Sequence, residues 1–207
     1  MQKNLGDFGG SKKGTSEKLA AVDMAKELRS VSVSEFFERN RHLLGYDNPT
    51  KALLTVVREA VDNSVDACEE ANILPEVHVS ITALSETTYK IIVEDNGPGI
   101  VKEKIPDVFA SMLYCSKFHK NVQSRGKQGI GISSAVLYAQ LTTGKPAKIW
   151  SRISNKHVAN FCELRINTLH NKPDIVKQES VEWNKDHGIK IELEMEGKYQ
   201  KGRQSVD

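Results

Sequence analysis

The sequence lacks the features that mark secreted, membrane-spanning or zinc-stabilised proteins. It has 3 cysteines in 207 residues, Cys68, Cys115 and Cys162, at wide spacings and without a CxxC pair. A disulfide framework or a zinc site is therefore not expected. No apolar run approaches the roughly 18 residues of a membrane span, and the N-terminus has no signal-peptide core. A reduced, cytoplasmic setting is expected.

The size and the charge of the chain leave its class open. A formal net charge of +2 neither favours nor excludes nucleic acid, and 39% hydrophobic with 27% charged residues is an ordinary globular composition. We expect a tail over residues 1–30, either a flexible end or an arm that becomes ordered on a partner. Residues 31–200 are expected to form one domain, and residues 201–207 to begin a further element.

The order of the predicted elements favours an α+β fold. A capping box starting at Ser32 predicts a first helix, and Asn48 or Thr50 is expected to cap a second, stronger one. Apolar periodicity predicts the remaining elements, with helices over 104–118 and 132–141 and strands near 77–81, 89–93, 148–153, 157–166 and 189–195. This order predicts a two-layer sandwich, with a mixed, mostly antiparallel sheet and helices on one face. A doubly wound parallel fold would need alternating strands and helices.

The second predicted helix carries polar residues on a face that its apolar pattern directs to the core. Glu59, Asn63 and Asp66 follow spacings of four and three, which place them on one side of a helix. A solvated stripe is one interpretation of this pattern. The other is a site in which Glu59 activates a water molecule and Asn63 offers an oxygen to a hard divalent cation.

A dense turn signal, DNGPGI, follows the second predicted strand. It is typical of a plain type I or type II turn. Alternatively, the strand fixes Asp95 so that its carboxylate accepts a hydrogen bond from an exocyclic amine such as that of adenine. In that case Gly97 and Gly99 allow the backbone to approach a ring closely.

A glycine-rich segment, GKQGIG, opens directly into an apolar helix. It is either a flexible loop or a phosphate cradle, in which small residues let N–H groups point at an anion beside a helix N-terminus. It lacks the Lys-Ser/Thr of a P-loop and does not sit in a βαβ unit. The three segments together, in this order, favour one nucleotide site over three unrelated features.

The stretches EAVDNSVDA, DNGPGI and GKQGIGI resemble the conserved boxes of the GHKL ATPases, which include gyrase-type topoisomerases, MutL proteins, heat-shock chaperones and sensor histidine kinases. The stretches between the boxes resemble the B subunits of type IIB DNA topoisomerases (topoisomerase VI), an archaeal group, over roughly residues 30–200. The resemblance implies the Bergerat fold of this superfamily and the cofactors ATP and Mg²⁺.

The resemblance also implies a role for each matching residue. Glu59 would activate the attacking water, Asn63 would hold Mg²⁺, and Asp95 would bind the adenine amine. Ser116 and Lys117 match a nucleotide-contacting pair. The segment that would wrap the phosphates consists of Gly126, Lys127, Gln128, Gly129, Ile130, Gly131, Ile132 and Ser133.

Two departures from the family pattern stand out. Ile189 occupies the position of the threonine in the family's His-Gly-Thr, so a water-mediated contact with adenine is not expected from its side chain. The family's phosphate-sensing lysine lies in a following domain, which the sequence does not reach, so we expect an isolated ATPase domain with weak turnover.

The resemblance implies three partners for the full-length protein: a second copy of the same B subunit on ATP binding, the A subunit, and duplex DNA through the holoenzyme. It also implies that the cytoplasmic protein is associated with the nucleoid. Two alternatives stay open. One is a MutL-like or chaperone-like clamp of another system, and the other is a nucleotide-binding module that does not hydrolyse.

Overall fold

Four α-helices and six strands make up the described part of the chain, residues 31–112 and 130–201 of a computed structural model. All of them lie within the unit Ser32–Asp207. In chain order they are α1 (Val33–Leu44), α2 (Pro49–Glu70), β1 (Val77–Ala83), β2 (Thr88–Asp95), α3 (Ile105–Ala110), α4 (Gly131–Thr143), β3 (Ala147–Arg152), β4 (Ala159–Asn167), β5 (Lys172–Val181) and β6 (Gly188–Glu196). A 3-10 turn, Lys102–Lys104, precedes α3.

The first two helices begin at side-chain caps that the sequence predicts. Ser32 Oγ accepts a hydrogen bond from the backbone N–H of Glu35 at 3.2 Å. Asn48 Oδ1 accepts from the backbone N–H of Lys51 at 2.9 Å, directly before Pro49 in the first turn of α2. These bonds pair backbone donors that a helix start leaves free, and of the two predicted caps for α2 the structure uses Asn48.

The strands form one sheet in the order β1-β2-β6-β3-β4-β5. Every pairing in the described sheet is antiparallel, so it has none of the parallel pairs that a mixed sheet would contain. The register places Ile91 of β2 opposite Leu193 of β6, and Ile149 of β3 opposite Ile191 of β6. The predicted α+β class with antiparallel strands is confirmed.

The helices pack on one face of the sheet. Inward residues of β3 are buried, as for Ile149 (0% exposed), whereas Lys148 and Trp150 on its opposite face are half-buried. Helix α4, which is apolar on most sides, packs on the sheet and beside α2, and α2 also contacts the sheet directly. This layering brings the N-terminal end of α4 next to the middle of α2.

The prediction of a helix over 104–118 is wrong for residues 111 and 112, because α3 ends at Ala110. Ser111 has extended backbone angles. The backbone N–H and carbonyl of Met112 bond to the side chain of Asn171 at 2.8 and 3.0 Å. A tertiary contact thus replaces the next helical hydrogen bonds. The rest of that prediction lies outside the described residues.

One strand, β5, was not predicted from the sequence. It is a mostly exposed edge strand, with a register shift against β4 at Glu163/Leu164. Its polar sequence, KPDIVKQESV, lacks the apolar alternation by which the other strands were predicted. Pro173 is tolerated near the start of an edge strand because one side of such a strand needs no ladder hydrogen bonds. The predicted strands are all present, with ends shifted by one or two residues in the last three.

Among the described residues, no helix has the length and apolar character that a bilayer crossing requires.

Candidate functional site

Asp95, the last residue of β2, lies at the centre of the site. Its carboxylate is almost fully buried (4% exposed) and accepts three hydrogen bonds. Ser64 Oγ donates to Oδ2 at 2.7 Å, and the backbone N–H groups of Gly97 and Ile189 donate to Oδ1 at 2.9 and 3.0 Å. These donors come from α2, the loop after β2 and β6. They fix the carboxylate in one orientation, as a charged hydrogen-bond acceptor.

The DNGPGI loop is fixed to neighbouring elements on both sides of Asp95. The amide of Asn96 donates to Leu74 O at 3.0 Å and accepts from the N–H of Glu76 at 2.9 Å. Ser151 Oγ, buried in β3, accepts from the N–H of Ile100 at 2.7 Å and donates to Ile100 O at 2.8 Å. The predicted turn is therefore a rigid wall of the site and not a mobile connection.

Two glycines beside Asp95 are required by close backbone contacts. Gly99 has a φ of +70°, and a Cβ there would overlap the carbonyl oxygen of Arg152. Gly188 has a φ of +135°, and a Cβ there would overlap the carbonyl oxygen of Asp95. Both positions exclude other residues for steric and conformational reasons.

A cavity of about 160 Å³ opens beside the Asp95 carboxylate. This is below the roughly 300 Å³ at which pockets for drug-sized ligands begin, so it suits a single planar ring system. Polar groups reach it from Asp95, Ser64 and Asn63, and the exposed Glu70 lies at its border. Its apolar wall includes Ala60, Val93, Ile100, Ile132, Ile189 and Ile191. An apolar slot with one buried carboxylate favours an aromatic ring that carries an amine.

Glu59 faces the N-terminus of α4 and not the cavity. A Cβ on Gly131 would overlap Glu59 Oε2, so the carboxylate lies directly against this residue. Its other oxygen, Oε1, is 3.1 Å from a guanidinium nitrogen of Arg58, and the side chain is 18% exposed. A carboxylate at a helix N-terminus is stabilised by the helix dipole. One carboxylate oxygen of Glu59 is therefore paired with Arg58, and the other lies at the N-terminus of α4.

The N-terminus of α4 presents backbone donors. Its first helical hydrogen bond runs from Ser134 N to Ile130 O, and Ile130 provides no side-chain cap. The N–H groups of Gly131, Ile132 and Ser133 precede that bond, so they have no acceptor within the helix. Such a helix end suits an anionic group.

The hydroxyl groups in the first turn of α4 are already used internally. Ser133 Oγ is buried and donates to Ile130 O at 3.2 Å. Ser134 Oγ donates to Gly131 O at 2.7 Å and lies 3.2 Å from the hydroxyl of Tyr46. The group that Ser133 can offer to an anion is therefore its backbone N–H and not its hydroxyl.

The three polar residues on this face of α2 do not share one environment. Asn63 borders the cavity, Glu59 meets α4, and Asp66 is buried (8% exposed) without bordering the cavity. The helical repeat of 100° per residue spreads the three over roughly 60°, enough to give each a different neighbour. The functional interpretation of this face assigns ligand roles only to Glu59 and Asn63, and Asp66 lies away from the cavity.

The side-chain amide of Asn63 is oriented by its own helix. Its amide nitrogen donates to the backbone carbonyl of Glu59 one turn earlier, which directs Oδ1 away from the helix axis. No cluster of three or more metal-ligating side chains occurs within residues 31–112 and 130–201. This donor set fits Mg²⁺ only where most ligands are waters and substrate phosphates, as is usual for that ion.

Six of the predicted site residues, in the segment before α4, lie outside the described residues. They are Ser116, Lys117, Gly126, Lys127, Gln128 and Gly129.

Several residues that organise the site were not predicted. Ser64 and Ser151 are buried serines whose partners come from distant parts of the chain, and His187 Nδ1 donates to Gly97 O at 2.9 Å. The contribution of Ile189 is a backbone N–H, so it does not depend on the missing hydroxyl. No local sequence signal marks these contacts, apart from the position of Ser64 next to Asn63.

Burial changes two further groups near the site. It raises the pKa of the Cys68 thiol, helped by the negative charge of Asp95. Burial also raises the pKa of the Tyr46 hydroxyl, against the hydrogen bond with Ser134. Both groups are therefore neutral at physiological pH and add no charge to the site.

Known proteins resemble this chain over most of its length. A protein of Methanosarcina barkeri, named as the B subunit of type 2 DNA topoisomerase 6, is 55% identical over 183 residues, which cover 88% of this chain and 30% of that protein. A protein of the same name from Archaeoglobus fulgidus is 56% identical over 184 residues, again 88% and 30%. That of Natronomonas pharaonis is 49% identical over 206 residues, 100% of this chain and 25% of the relative.

The chain thus spans 25–30% of the length of these relatives. Residues 48–173 match the family described as histidine kinase-, DNA gyrase B- and HSP90-like ATPases. This match includes α2, the DNGPGI loop and the start of α4, which carry the geometry described above. The chain belongs to the family of histidine kinase-, DNA gyrase B- and HSP90-like ATPases.

Proposed function

We propose that the chain is the ATP-binding and ATP-hydrolysing domain of the B subunit of a type IIB DNA topoisomerase. The observation that carries the proposal is the Asp95 carboxylate, held by three donors at an apolar slot, with the N-terminus of α4 and Glu59 nearby. In this arrangement Asp95 would recognise the base, the N-terminus of α4 would bind the phosphates, and Glu59 would activate the water.

The orientation of Asp95 supports recognition of adenine. Both bonds to Oδ1 come from rigid backbone donors, so Oδ2 is the oxygen that shares its lone pairs between Ser64 and a ligand. The amine of adenine donates to such an acceptor. Guanine presents a carbonyl at the corresponding ring position, and two facing acceptors repel. ATP is therefore expected to bind in preference to GTP.

The N-terminus of α4 supports binding of the phosphates. The N–H groups of Gly131, Ile132 and Ser133 would donate to phosphate oxygens, and the helix dipole favours negative charge there. We propose that Gly126, Lys127, Gln128, Gly129 and Ile130 complete the cradle, as the sequence pattern predicts. Ser116 and Lys117 would contribute from the preceding segment.

Glu59 is the proposed general base. Oε1 is paired with Arg58, which leaves Oε2, at Gly131, to accept a proton from a water beside the terminal phosphate. Asn63 Oδ1 would hold Mg²⁺, which when bound neutralises charge on the phosphates. Most of the ligands of that ion would be phosphate oxygens and water, in accordance with the single protein oxygen provided.

The test separates binding from hydrolysis. Isothermal titration with Mg·ATP should give saturable binding to the parent protein and to Glu59→Gln, which keeps the shape and hydrogen bonds of the side chain. Phosphate release should fall at least about 100-fold in Glu59→Gln because a general base contributes factors of that order. Equal turnover in both proteins would remove Glu59 from the mechanism, and no binding by either would refute the function.

We further propose that ATP binding pairs two copies of the domain, and that the full-length protein acts with an A subunit on duplex DNA. The support is the resemblance to proteins named as B subunits of topoisomerase 6. Residues 1–30 are proposed to form the arm that crosses between the two copies. Analytical ultracentrifugation with a non-hydrolysable ATP analogue should show a dimer, and deletion of residues 1–18 should weaken it. Unchanged dimerisation after the deletion would exclude the arm.

A further inference from the structure

Arg152, at the end of β3, has an unusual set of hydrogen-bond partners. Its guanidinium group donates to five backbone carbonyl oxygens. Three belong to the loop between β3 and β4: Ser154 at 3.2 Å, His157 at 2.8 Å and Asn155 at 3.0 Å. The other two, described next, belong to the loop between β5 and β6. Each acceptor is a neutral carbonyl, so the group holds backbone and does not balance a carboxylate.

The two bonds to the β5–β6 loop are to Trp183 O at 3.0 Å and Lys185 O at 2.8 Å. The two loops enclose an open cleft of about 650 Å³, which Arg152 borders. Apolar packing between the loops is therefore limited at this point. The planar guanidinium group, whose N–H donors form a fork with fixed directions, connects the two loops. The single ammonium group of lysine is poorly suited to this.

The β5–β6 loop leads directly into the wall of the cavity. His187 Nδ1 donates to Gly97 O at 2.9 Å, and the N–H of Ile189 donates to Asp95 Oδ1 at 3.0 Å. The backbone of Arg152 contributes as well. It is paired with Gly188 in the sheet, and its carbonyl oxygen packs against Gly99. Arg152 is thus joined to both sides of the Asp95 carboxylate without touching the cavity.

We propose that Arg152 is a positioning residue for base recognition, and that its guanidinium group fixes the Asp95 carboxylate through the β5–β6 loop. A fixed carboxylate discriminates between an amine and a carbonyl because it cannot turn away or admit a water between the two acceptors. Loss of the fork loosens His187 and Ile189. The carboxylate then loses one of its two backbone donors for part of the time, and the discrimination decreases.

The inference rests on the proposed function for its effect on nucleotides, but its first test does not need a nucleotide. Amide hydrogen exchange by NMR is measured on the ligand-free parent and on Arg152→Lys, which keeps the charge and removes the fork. The Ile189 amide should lose about tenfold in protection, the factor that corresponds to one hydrogen bond. Ile166 is the matched reference, because its N–H also donates to a side-chain oxygen, Gln140 Oε1, at 2.8 Å. Equal protection of Ile189 in both proteins overturns the proposal.

A control variant separates this role from general stability. Arg165→Lys also removes a guanidinium group, one that donates to a single carbonyl, Gly144 O at 3.2 Å, beyond the C-terminal end of α4. It should leave the Ile189 amide unchanged. If Arg152→Lys does not fold, exchange is followed in the parent at low urea. The Arg152 Nε–H and the Ile189 amide should then open together and before Ile166. Separate opening of the two groups overturns the proposal.

The second test measures specificity. The ratio of the dissociation constants for Mg·GTP and Mg·ATP is determined by titration calorimetry, at a temperature at which each protein is folded. Arg152→Lys should reduce the ratio by about tenfold, chiefly by weakening ATP, and Arg165→Lys should not change it. If the parent binds Mg·ATP selectively and Arg152→Lys has the same ratio, the role of Arg152 is refuted and the proposed function is not. A parent that binds neither nucleotide refutes the proposed function, and the exchange experiment then still decides whether Arg152 fixes Asp95.

Discussion

Replacement of Asp95 by alanine and by asparagine should have different consequences, and the hydrogen bonds of the carboxylate give their size. Asp95→Ala leaves three buried donors without an acceptor. At about 1–3 kcal/mol for each, the cost is roughly 3–9 kcal/mol, comparable with the total stability of about 5–15 kcal/mol of a typical domain. We expect this variant to be largely unfolded, so its loss of binding would carry no information about the nucleotide.

Asp95→Asn keeps the shape of the side chain. Its amide oxygen can accept both backbone N–H groups, and Ser64 can turn to accept from the amide nitrogen. The loss is limited to the charge assistance of these bonds, about 1–2 kcal/mol, or roughly 2–8 °C in Tm for a chain of this size. The new amide donor faces the adenine amine, and the clash of two donors should weaken Mg·ATP by about 10–100-fold.

Differential scanning fluorimetry without nucleotide and titration calorimetry with Mg·ATP measure the two effects separately. Asp174→Asn, which changes an exposed aspartate in β5, controls for loss of one negative charge. A stable Asp95→Ala would show that the carboxylate does not hold the surrounding backbone. Parental ATP affinity in a folded Asp95→Asn would show that the base does not bind at this residue.

Three further predictions follow from single contacts. Gly131→Ala should lower the rate of phosphate release at least about tenfold, because the new Cβ displaces the carboxylate of Glu59. Its Tm should change little, since only the flexible end of that side chain has to move. A rate equal to that of the parent would show that catalysis does not use this position of Glu59. Ser151→Ala should lower Tm by about 2–12 °C, since two half-buried hydrogen bonds to the backbone of Ile100 are lost at about 0.5–1.5 kcal/mol each. The exposed Ser80→Ala should not lower it, and equal Tm values would contradict the role of Ser151. Burial raises the pKa of the Cys162 thiol from 9.0 to about 11, so the stability gained from the neutral thiol is complete below about pH 9 and is lost as the pH rises through about 11. The urea midpoint of the parent should fall more steeply over this range than that of Cys162→Ala, and parallel curves would contradict the assignment.

Much of the fold could be predicted because its signals are local. Caps at Ser32 and Asn48, apolar periodicity in the helices, and alternation in five of the strands depend on residues close in sequence. The failures have non-local causes. The helix α3 ends where Asn171, some 60 residues later, takes over the backbone groups of Met112. The edge strand β5 is held by its pairing with β4 and not by an apolar pattern of its own.

The sequence by itself determined the chemical groups of the site: a carboxylate after a strand, an acid and an amide one turn apart on a helix, and glycines before another helix. These follow from residue type and spacing, which the chain carries whatever its fold. Only the tertiary structure decided which groups meet. The donors to Asp95 come from α2, its own loop and β6. Glu59 lies against α4 whereas Asn63 borders the cavity, and Arg152 connects two distant loops to the cavity wall. Contacts of this kind depend on how the layers pack and how the strands align, so they cannot be predicted from the spacing of residues along the chain.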